Sequence, residues 1–154
     1  MAATAGDLFA RHRRDVYRYL VRMTGQRDVA DDLVQDVFLR VVRALGNGGA
    51  IGHERGWVFS IARSVLVDRH RDRQRSPTMV DEVAEPSKDG TQALAIGLSQ
   101  SLARLADADR EMFLLKEVGG LSYQEISSKC GCTVESVRSR LHRTRSALRA
   151  LLSL

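Results

Sequence analysis

Residues 121–143 read LSYQEISSKCGCTVESVRSRLHR, and this stretch carries the local signals of two helices joined by a tight turn. Ser122, followed three residues later by Glu125, forms the pattern of a capping box, in which each side chain bonds to the other residue's backbone N–H. Gly131 can adopt the left-handed conformation that ends a helix. Thr133 can cap the helix that follows. The stretch therefore predicts a helix-turn-helix motif.

The second helix of this motif combines an apolar stripe with dense positive charge. Its predicted inward positions are Val134, Val137, Leu141 and Leu148, and residues 133–149 contain five arginines against one acid. In a helix-turn-helix the second helix enters the DNA major groove, where Arg can read guanine, Ser can bond to several base edges and Glu can accept from cytosine. The predicted contacts are Thr133, Glu135, Ser136, Arg138, Ser139, Arg140, His142 and Arg143. The alternative is a solvated basic face on an ordinary core helix.

The bulk composition agrees with a helical, folded, basic protein. The 154 residues are 44% hydrophobic, 28% charged and only 5% aromatic, with a net charge of +5. This balance excludes a disordered chain and favours a polyanionic partner. No apolar run approaches the length of a membrane span, and the first residues lack a signal-peptide core. We therefore expect a cytoplasmic protein without membrane insertion.

Charge and proline divide the chain into two parts. Residues 1–75 carry 14 basic and 9 acidic groups, residues 76–98 carry 1 and 4, and residues 99–154 carry 9 and 6. Both prolines fall in the acidic middle, which has no apolar periodicity and reads as a linker. The sequence predicts an all-α fold of two small helical domains, 1–75 and 94–154, joined by an acidic linker over 76–93.

The first domain is predicted to contain three helices, at about residues 7–23, 29–45 and 54–75. In the second, an apolar residue recurs every four positions and Asp28 is a candidate cap. The third is expected to face inward through Trp57, Ile61 and Val65. Four glycines between Gly46 and His53 predict an irregular loop before it.

The cysteines and histidines do not indicate catalysis. Cys130 and Cys132 lie one residue apart, too close for a scaffold disulfide, and even with His142 they fall short of the four ligands that structural zinc prefers. The four histidines are scattered and form no catalytic constellation. We expect no metal, no cofactor and no enzymatic activity.

Three blocks of the sequence resemble a known family. RDVADDLVQDVFLRVVRAL (27–45) and ERGWVFSIARSVLVDRHRDRQR (54–75) resemble conserved region two of bacterial sigma factors. DREMFLLKEVGGLSYQEISSKCGCTVESVRSRLHRTRSAL (109–148) resembles region four. With only these regions and a short linker, the chain resembles an extracytoplasmic-function (ECF) sigma factor. The resemblance implies three partners: bacterial core RNA polymerase (its β′ clamp helices and β flap), promoter DNA and an anti-sigma factor.

The resemblance also implies roles for particular positions. The second helix would dock on the β′ clamp helices through Asp31, Asp32, Gln35, Asp36, Phe38 and Arg40. The glycine-rich loop would capture a flipped base of the −10 element, the third helix would follow the melted strand, and the terminal helix would read the −35 element. The implied −10 residues are Asn47, Ile51, His53, Arg55, Arg63, Ser64, Arg69, Arg71 and Arg73. Ser64 stands where many members have Asn, so base preference is expected to differ here.

Two other functions compete with this interpretation. A stand-alone helix-turn-helix repressor or activator would bind duplex operators, usually as a dimer, but it leaves the first domain unexplained. A protein-interaction module that mimics a sigma factor would not need the arginine-dense helices.

Overall fold

The computed structural model describes residues 3–48, 52–75 and 92–152, and within these ranges every regular element is an α-helix. The chain divides into two compact units, Met1–Glu82 and Val83–Leu154. The predicted all-α fold with two small helical domains is confirmed. Residues 76–91, which make up most of the predicted linker, lie outside the described residues.

The first unit contains α1 (Ala5–Thr24), α2 (Arg27–Gly46) and α3 (Glu54–Arg75). A capping box starts α1: Asp7 N–H donates to Thr4 Oγ1 at 3.1 Å, and Thr4 N–H donates to the Asp7 carboxylate at 3.0 Å. Gly25 ends α1 in the left-handed region, with φ of 74°. These local signals set the length of α1, because each satisfies backbone groups that a helix end leaves unpaired.

The predicted cap of α2 was wrong. Gln26 occupies the N-cap position and makes no side-chain cap bond, whereas Asp28 lies inside the first turn of the helix. There its negative charge still interacts favourably with the positive end of the helix dipole. The start of α2 therefore lies two residues earlier than the apolar periodicity indicated.

The three helices of the first unit pack pairwise around one apolar core. Helix α1 buries Leu8, Val16 and Leu20, and α2 buries Leu33, Val34, Val37, Phe38 and Val41. At the centre, the fully buried rings of Tyr19 and Phe59 meet edge to face, with centroids 5.6 Å apart. Burial of each large apolar side chain contributes about 1.5–3 kcal/mol.

The predicted inward face of α3 was partly wrong. Val65 is buried, but Trp57 and Ile61 are only half-buried. The buried positions are instead Val58, Phe59, Ala62 and Val65. The arc is rotated because the Phe59 ring packs against Tyr19 of α1, a partner that the spacing within α3 does not reveal.

The second unit contains α4 (Gln92–Ala103), α5 (Asp107–Glu117), α6 (Tyr123–Cys130) and α7 (Val134–Leu152). The first of these helices begins two residues inside the predicted linker. Helices α4, α5 and α6 all pack against α7. The buried apolar residues include Leu102, Met112, Leu114, Leu115, Leu121, Ile126, Val137, Leu141 and Leu148. The terminal helix is thus the central support of its unit.

Among the described residues, no helix combines the length and the apolar character that crossing a bilayer requires.

Candidate nucleic-acid and protein interfaces

The turn between α6 and α7 has the geometry that its residue types predict. Glu125 N–H donates to Ser122 Oγ at 3.1 Å, and Ser122 N–H donates to the Glu125 carboxylate at 2.9 Å, which completes the capping box of α6. Gly131 has φ of 69°, and its N–H donates to the carbonyl of Ser127 at 3.0 Å. Ser136 N–H then donates to Thr133 Oγ1 at 3.1 Å at the start of α7. The helix-turn-helix is confirmed by these contacts.

The first two turns of α7 present a polar, basic surface. Its predicted inward residues Val137, Leu141 and Leu148 are buried, while Val134 is half-buried. Of the predicted DNA contacts, six are exposed and two are half-buried. The exposed ones are Thr133, Glu135, Arg138, Ser139, His142 and Arg143, and the half-buried ones are Ser136 and Arg140. This helix can therefore present hydrogen-bonding side chains while its apolar side stays in the core.

Tyr123, the first residue of α6, supports part of this surface, and the sequence interpretation missed it. The guanidinium of Arg138 lies over the Tyr123 ring, 5.7 Å from its centroid, and the Lys116 ammonium lies 5.0 Å from the same centroid. The negative face of an aromatic ring attracts cations at such distances. Tyr123 thus holds two positive groups beside the start of the recognition helix.

Arg145 forms an ion pair within the second unit. Its guanidinium donates to the Glu117 carboxylate at 2.8 Å. Hydrogen bonding to Glu117, with a second bond to Tyr123, raises the pKa of Arg145 above its usual value. This arginine links α7 to the end of α5, so it contributes to packing as well as to the basic charge.

An open cavity of about 460 Å³ lies beside α7 and is lined by two of the predicted DNA contacts. Arg140 and Arg143 line it together with Thr144, Asp109 and apolar side chains of the α4–α5 connection. Arg138, in contrast, lies on the side of α7 next to Tyr123. Arg138 therefore lies on a different side of α7 from Arg140 and Arg143.

The outer face of α2 is acidic and partly apolar. Asp31, Asp32, Gln35 and Asp36, four of the six residues predicted to bind polymerase, are exposed on it. Leu39 and Val42 continue the same side of the helix and are 54% and 53% exposed. Sequence reasoning missed this pair, although large apolar residues beside the predicted acidic face were an available signal. Exposed apolar side chains within a polar rim are typical of a protein-binding surface.

The other two residues of that predicted set do not face solvent freely. Phe38 is buried, and its ring meets Phe9 of α1 edge-on at 5.0 Å. Arg40 is half-buried and donates to Asp68 of α3 at 2.7 Å. In this structure both residues hold α2 against its neighbouring helices.

The residues predicted to contact the −10 element lie in the α2–α3 loop and along α3. Asn47, His53, Ser64 and Arg71 are exposed; Arg55, Arg63, Arg69 and Arg73 are half-buried; Ile51 lies outside the described residues. The Ser64 hydroxyl donates to the carbonyl of Ser60 at 3.0 Å, one turn earlier in the helix. Any contact of this hydroxyl with a base would therefore have to share or replace that bond.

The first turn of α3 is joined to α1 by charged side chains. The Glu54 carboxylate accepts from Arg11 at 2.7 Å and contacts the ring nitrogen Nε2 of His12 at 2.6 Å. Arg55 donates to Asp15 at 2.7 Å. The hydrogen bond with His12, aided by the Arg11 charge, lowers the pKa of Glu54 below its usual value. Arg55, predicted to bind DNA, is thus also part of the α1–α3 contact.

Cys130 and Cys132 are half-buried and are not joined by a disulfide. Within the described ranges, no three or more His, Cys, Asp or Glu side chains come together in a way that could hold a metal ion.

Comparisons with known proteins agree with the two-unit architecture. Residues 8–76 match the family model Sigma-70 region 2, and residues 97–148 match the model Sigma-70, region 4. The ECF RNA polymerase sigma factor SigC of Mycobacterium tuberculosis is 34% identical over 144 residues, which cover 90% of this chain and 77% of SigC. The sigma factor CarQ of Myxococcus xanthus is 32% identical over 152 residues, covering 95% of this chain and 87% of CarQ.

Solved structures show the same fold. The structure of the sigma factor RpoE in complex with the anti-sigma factor NepR, from Bartonella quintana, is similar with a TM-score of 0.77 and 24% identity, covering 95% of this chain and 94% of that one. CnrH, solved in complex with the cytosolic domain of CnrY, is similar with a TM-score of 0.67 and 25% identity, covering 97% and 87%.

The two matched regions, in this order along the chain, are those of a bacterial transcription initiation factor. The two family models and the identity to SigC and CarQ specify the family: the chain belongs to the ECF sigma factors. Its function is to direct RNA polymerase to promoters.

Proposed function

We propose that this sigma factor divides its work between the two units at the level of individual residues. The exposed face of α2 binds the β′ clamp helices of core polymerase, and the α2–α3 loop with α3 opens the −10 element. The first two turns of α7 read the −35 element, and residues 76–93 act as the tether between the units. The protein works in the cytoplasm as a polymerase subunit and has no catalytic role of its own.

The observation that carries this proposal is the contrast between two exposed surfaces. The outer face of α2 displays three carboxylates and an amide beside Leu39 and Val42. The outer face of α7 displays arginines, serines and a histidine, and this helix directly follows the turn of the helix-turn-helix. A protein partner suits the first surface, and the negative phosphates and base edges of DNA suit the second.

Binding through two tethered units explains why one chain needs both surfaces. Each contact alone buries a small area and binds weakly. Once α2 is docked, the tether keeps α7 at a high effective concentration near the upstream DNA, so the second contact is gained at little entropic cost.

We further propose that an anti-sigma factor controls this chain by covering its apolar and basic surfaces. The support is the exposed apolar group Phe9, Leu39 and Val42, which a free protein would leave in water. RpoE was solved with its anti-sigma factor NepR, which supplies the precedent for such a partner. A chain that is constitutively active in cells, with no inhibitor co-purifying, would contradict this part of the proposal.

Transcription in vitro tests the proposed division of labour. The purified chain is added to sigma-free bacterial core polymerase with a genomic promoter library, and the transcripts are sequenced. Discrete start sites that share two spaced elements are expected. Tight duplex binding without polymerase, and no transcripts, would instead indicate a stand-alone repressor.

Single arginine variants locate the −35 contact. Replacing Arg138 or Arg140 by Ala should cost about 1–3 kcal/mol of discrimination and relax the preference at one position of the upstream element. Arg149→Ala removes the same charge from the far end of α7, so it should lower binding slightly and equally for all sequences. Equal effects of all three variants would mean that α7 supplies only general positive charge.

A further inference from the structure

The polar contacts between α1 and the first turn of α3 lie directly beside the α2–α3 loop. Glu54 and Arg55 are the first two residues of α3, and both reach back to α1, where their partners lie one turn apart. The carbonyl of His53 accepts from Trp57 N–H at 2.9 Å, so the last loop residue already belongs to the hydrogen-bonded start of α3. Whatever fixes this first turn also fixes the downstream end of the loop.

His12 is buried and contacts Glu54. Its side chain is only 8% exposed, and its Nε2 lies 2.6 Å from Glu54. Because the lowered pKa of Glu54 keeps that group a carboxylate, the histidine nitrogen is the donor. The other ring nitrogen, Nδ1, has no hydrogen-bond partner among the described residues. The His12 ring therefore forms its hydrogen bond with Glu54 through Nε2.

Asp15 makes the second half of the arrangement. It accepts from Arg55 at 2.7 Å and lies 3.7 Å from Arg18 in its own helix. The Arg55 guanidinium also lies over the ring of Phe59, 5.5 Å from its centroid. Held from two sides, Arg55 has fewer orientations available than a surface arginine, and the backbone that carries it is restrained as well.

We propose that His12 and Asp15 of α1 are positioning residues for promoter recognition: through Glu54 and Arg55 they hold His53 and the first turn of α3 in the orientation that receives the flipped −10 base. The inference rests on the proposed role of the α2–α3 loop. Neither residue touches DNA in this scheme. Their contribution is preorganisation, because contacting groups that are already in place on binding lose less affinity to ordering, and a small displacement of such groups costs much of the affinity.

The charge pattern supports positioning over simple helix packing. The apolar core between α1 and α3 already contains Val16, Tyr19 and Phe59, all fully buried. The Arg11–Glu54 and Arg55–Asp15 pairs add little to an interface of that kind, since partly exposed ion pairs contribute about 0–1 kcal/mol to stability. They do restrict the orientation of the side chains that they join, because hydrogen bonds to charged groups have narrow geometry. These contacts lie next to the downstream end of the loop, where the orientation of the side chains affects base capture.

The test measures base capture separately from folding and docking. Holoenzyme is assembled from core polymerase and the full chain, and it selects from a randomised single-stranded library of non-template DNA that is then sequenced. His12→Leu and Asp15→Ala should weaken capture by about ten-fold and flatten the base preference at the −10 position. Binding of core polymerase should stay within about two-fold, because α2 is untouched.

Two further variants separate positioning from stability. His12→Gln keeps an amide donor for Glu54 and should restore the base preference. Val16→Ala opens a cavity in the same α1–α3 interface without touching a polar contact, so it should lower the melting temperature and leave the preference unchanged.

Three results would overturn the inference. The first is an unchanged base preference in His12→Leu and Asp15→Ala, and the second is a flattened preference in Val16→Ala, which would tie the loss to stability alone. The third is a wild-type holoenzyme without any −10 preference, which would overturn the proposed function together with the inference.

Discussion

The two units position their functional segments by different means. In the second unit, the recognition helix α7 is placed by signals close in sequence: a capping box at Ser122, a left-handed Gly131 and a threonine cap. In the first unit, the first turn of α3 is joined to side chains of α1 that lie about forty residues away in sequence, as in the contact between His12 and Glu54. The comparison teaches that a short-range motif can be recognised from its residues, whereas a site held across helices cannot.

The largest expected effect tests whether the two units have independent cores. Leu141→Ala removes a fully buried side chain from α7 and should destabilise the second unit by about 2–5 kcal/mol. Trp57, the chain's single tryptophan, lies in the first unit, so its fluorescence reports that unit alone. Thermal unfolding followed by circular dichroism should shift while the tryptophan transition stays in place. A matching shift of both signals would contradict two separate cores.

Two glycine variants test how much a local backbone signal contributes to the stability of the second unit. Gly131→Ala should cost about 1–2 kcal/mol, because φ of 69° is unfavourable for any residue with a Cβ. Steric overlap does not cause this loss of stability, since an added Cβ would meet nothing within 4 Å.

Gly97→Ala is the matched control for this variant. It lies inside α4, has equally open surroundings and should stabilise the unit by about 0.5–1 kcal/mol. Urea unfolding of both variants measures the difference, and equal effects would contradict a backbone origin.

The two capping boxes allow a direct comparison of the units. Thr4→Ala and Ser122→Ala should each cost about 1 kcal/mol of stability, because each leaves helix N–H groups without a partner. Only Ser122→Ala should also weaken −35 binding, since this cap begins the first helix of the helix-turn-helix. Fluorescence anisotropy with a labelled −35 duplex checks this, and a comparable loss in Thr4→Ala would contradict it.

The smallest expected effect concerns pH. The pKa of Glu54 is lowered in the folded protein, chiefly by its hydrogen bond with His12, so the carboxylate stabilises the first unit at pH values above its usual 4.5. This contribution is lost as the pH falls through the lowered pKa, where the folded state must take up a proton. Trp57 fluorescence during urea unfolding at pH 7 and in steps below pH 4.5 measures it. Glu54→Gln should show a weaker acid dependence; an unchanged one would place the effect on another carboxylate.

Much of the fold was predictable because its determinants are local. The helix-turn-helix, its capping box and the left-handed glycine follow from residues within a few positions of each other. The apolar stripe of α2 recurs every four residues, and its middle members Leu33, Val37 and Val41 are buried. Helix ends were less accurate: the apolar pattern does not reveal that Gln26 precedes α2 without a side-chain cap.

The exposure of the candidate site residues was partly predictable, whereas the residues that surround them were not. The exposed carboxylates of α2 and the basic face of α7 lie where the residue pattern and the family resemblance placed them. The supporting residues were missed: Leu39 and Val42 beside the carboxylates, and Tyr123 beneath Arg138. Their roles depend on neighbours in other helices or on which side of a helix remains uncovered.

The sequence by itself determined the all-α class, the turn that joins α6 to α7, the two-part organisation and the family. These properties depend on short-range periodicity, caps and composition, all of which act within a few residues. Only the tertiary structure decided that Phe38 turns inward against Phe9, that Arg40 pairs with Asp68, and that His12 holds Glu54 at the end of the loop. The physical reason is that these contacts depend on how helices cross, and the crossing is set by the packing of the whole core.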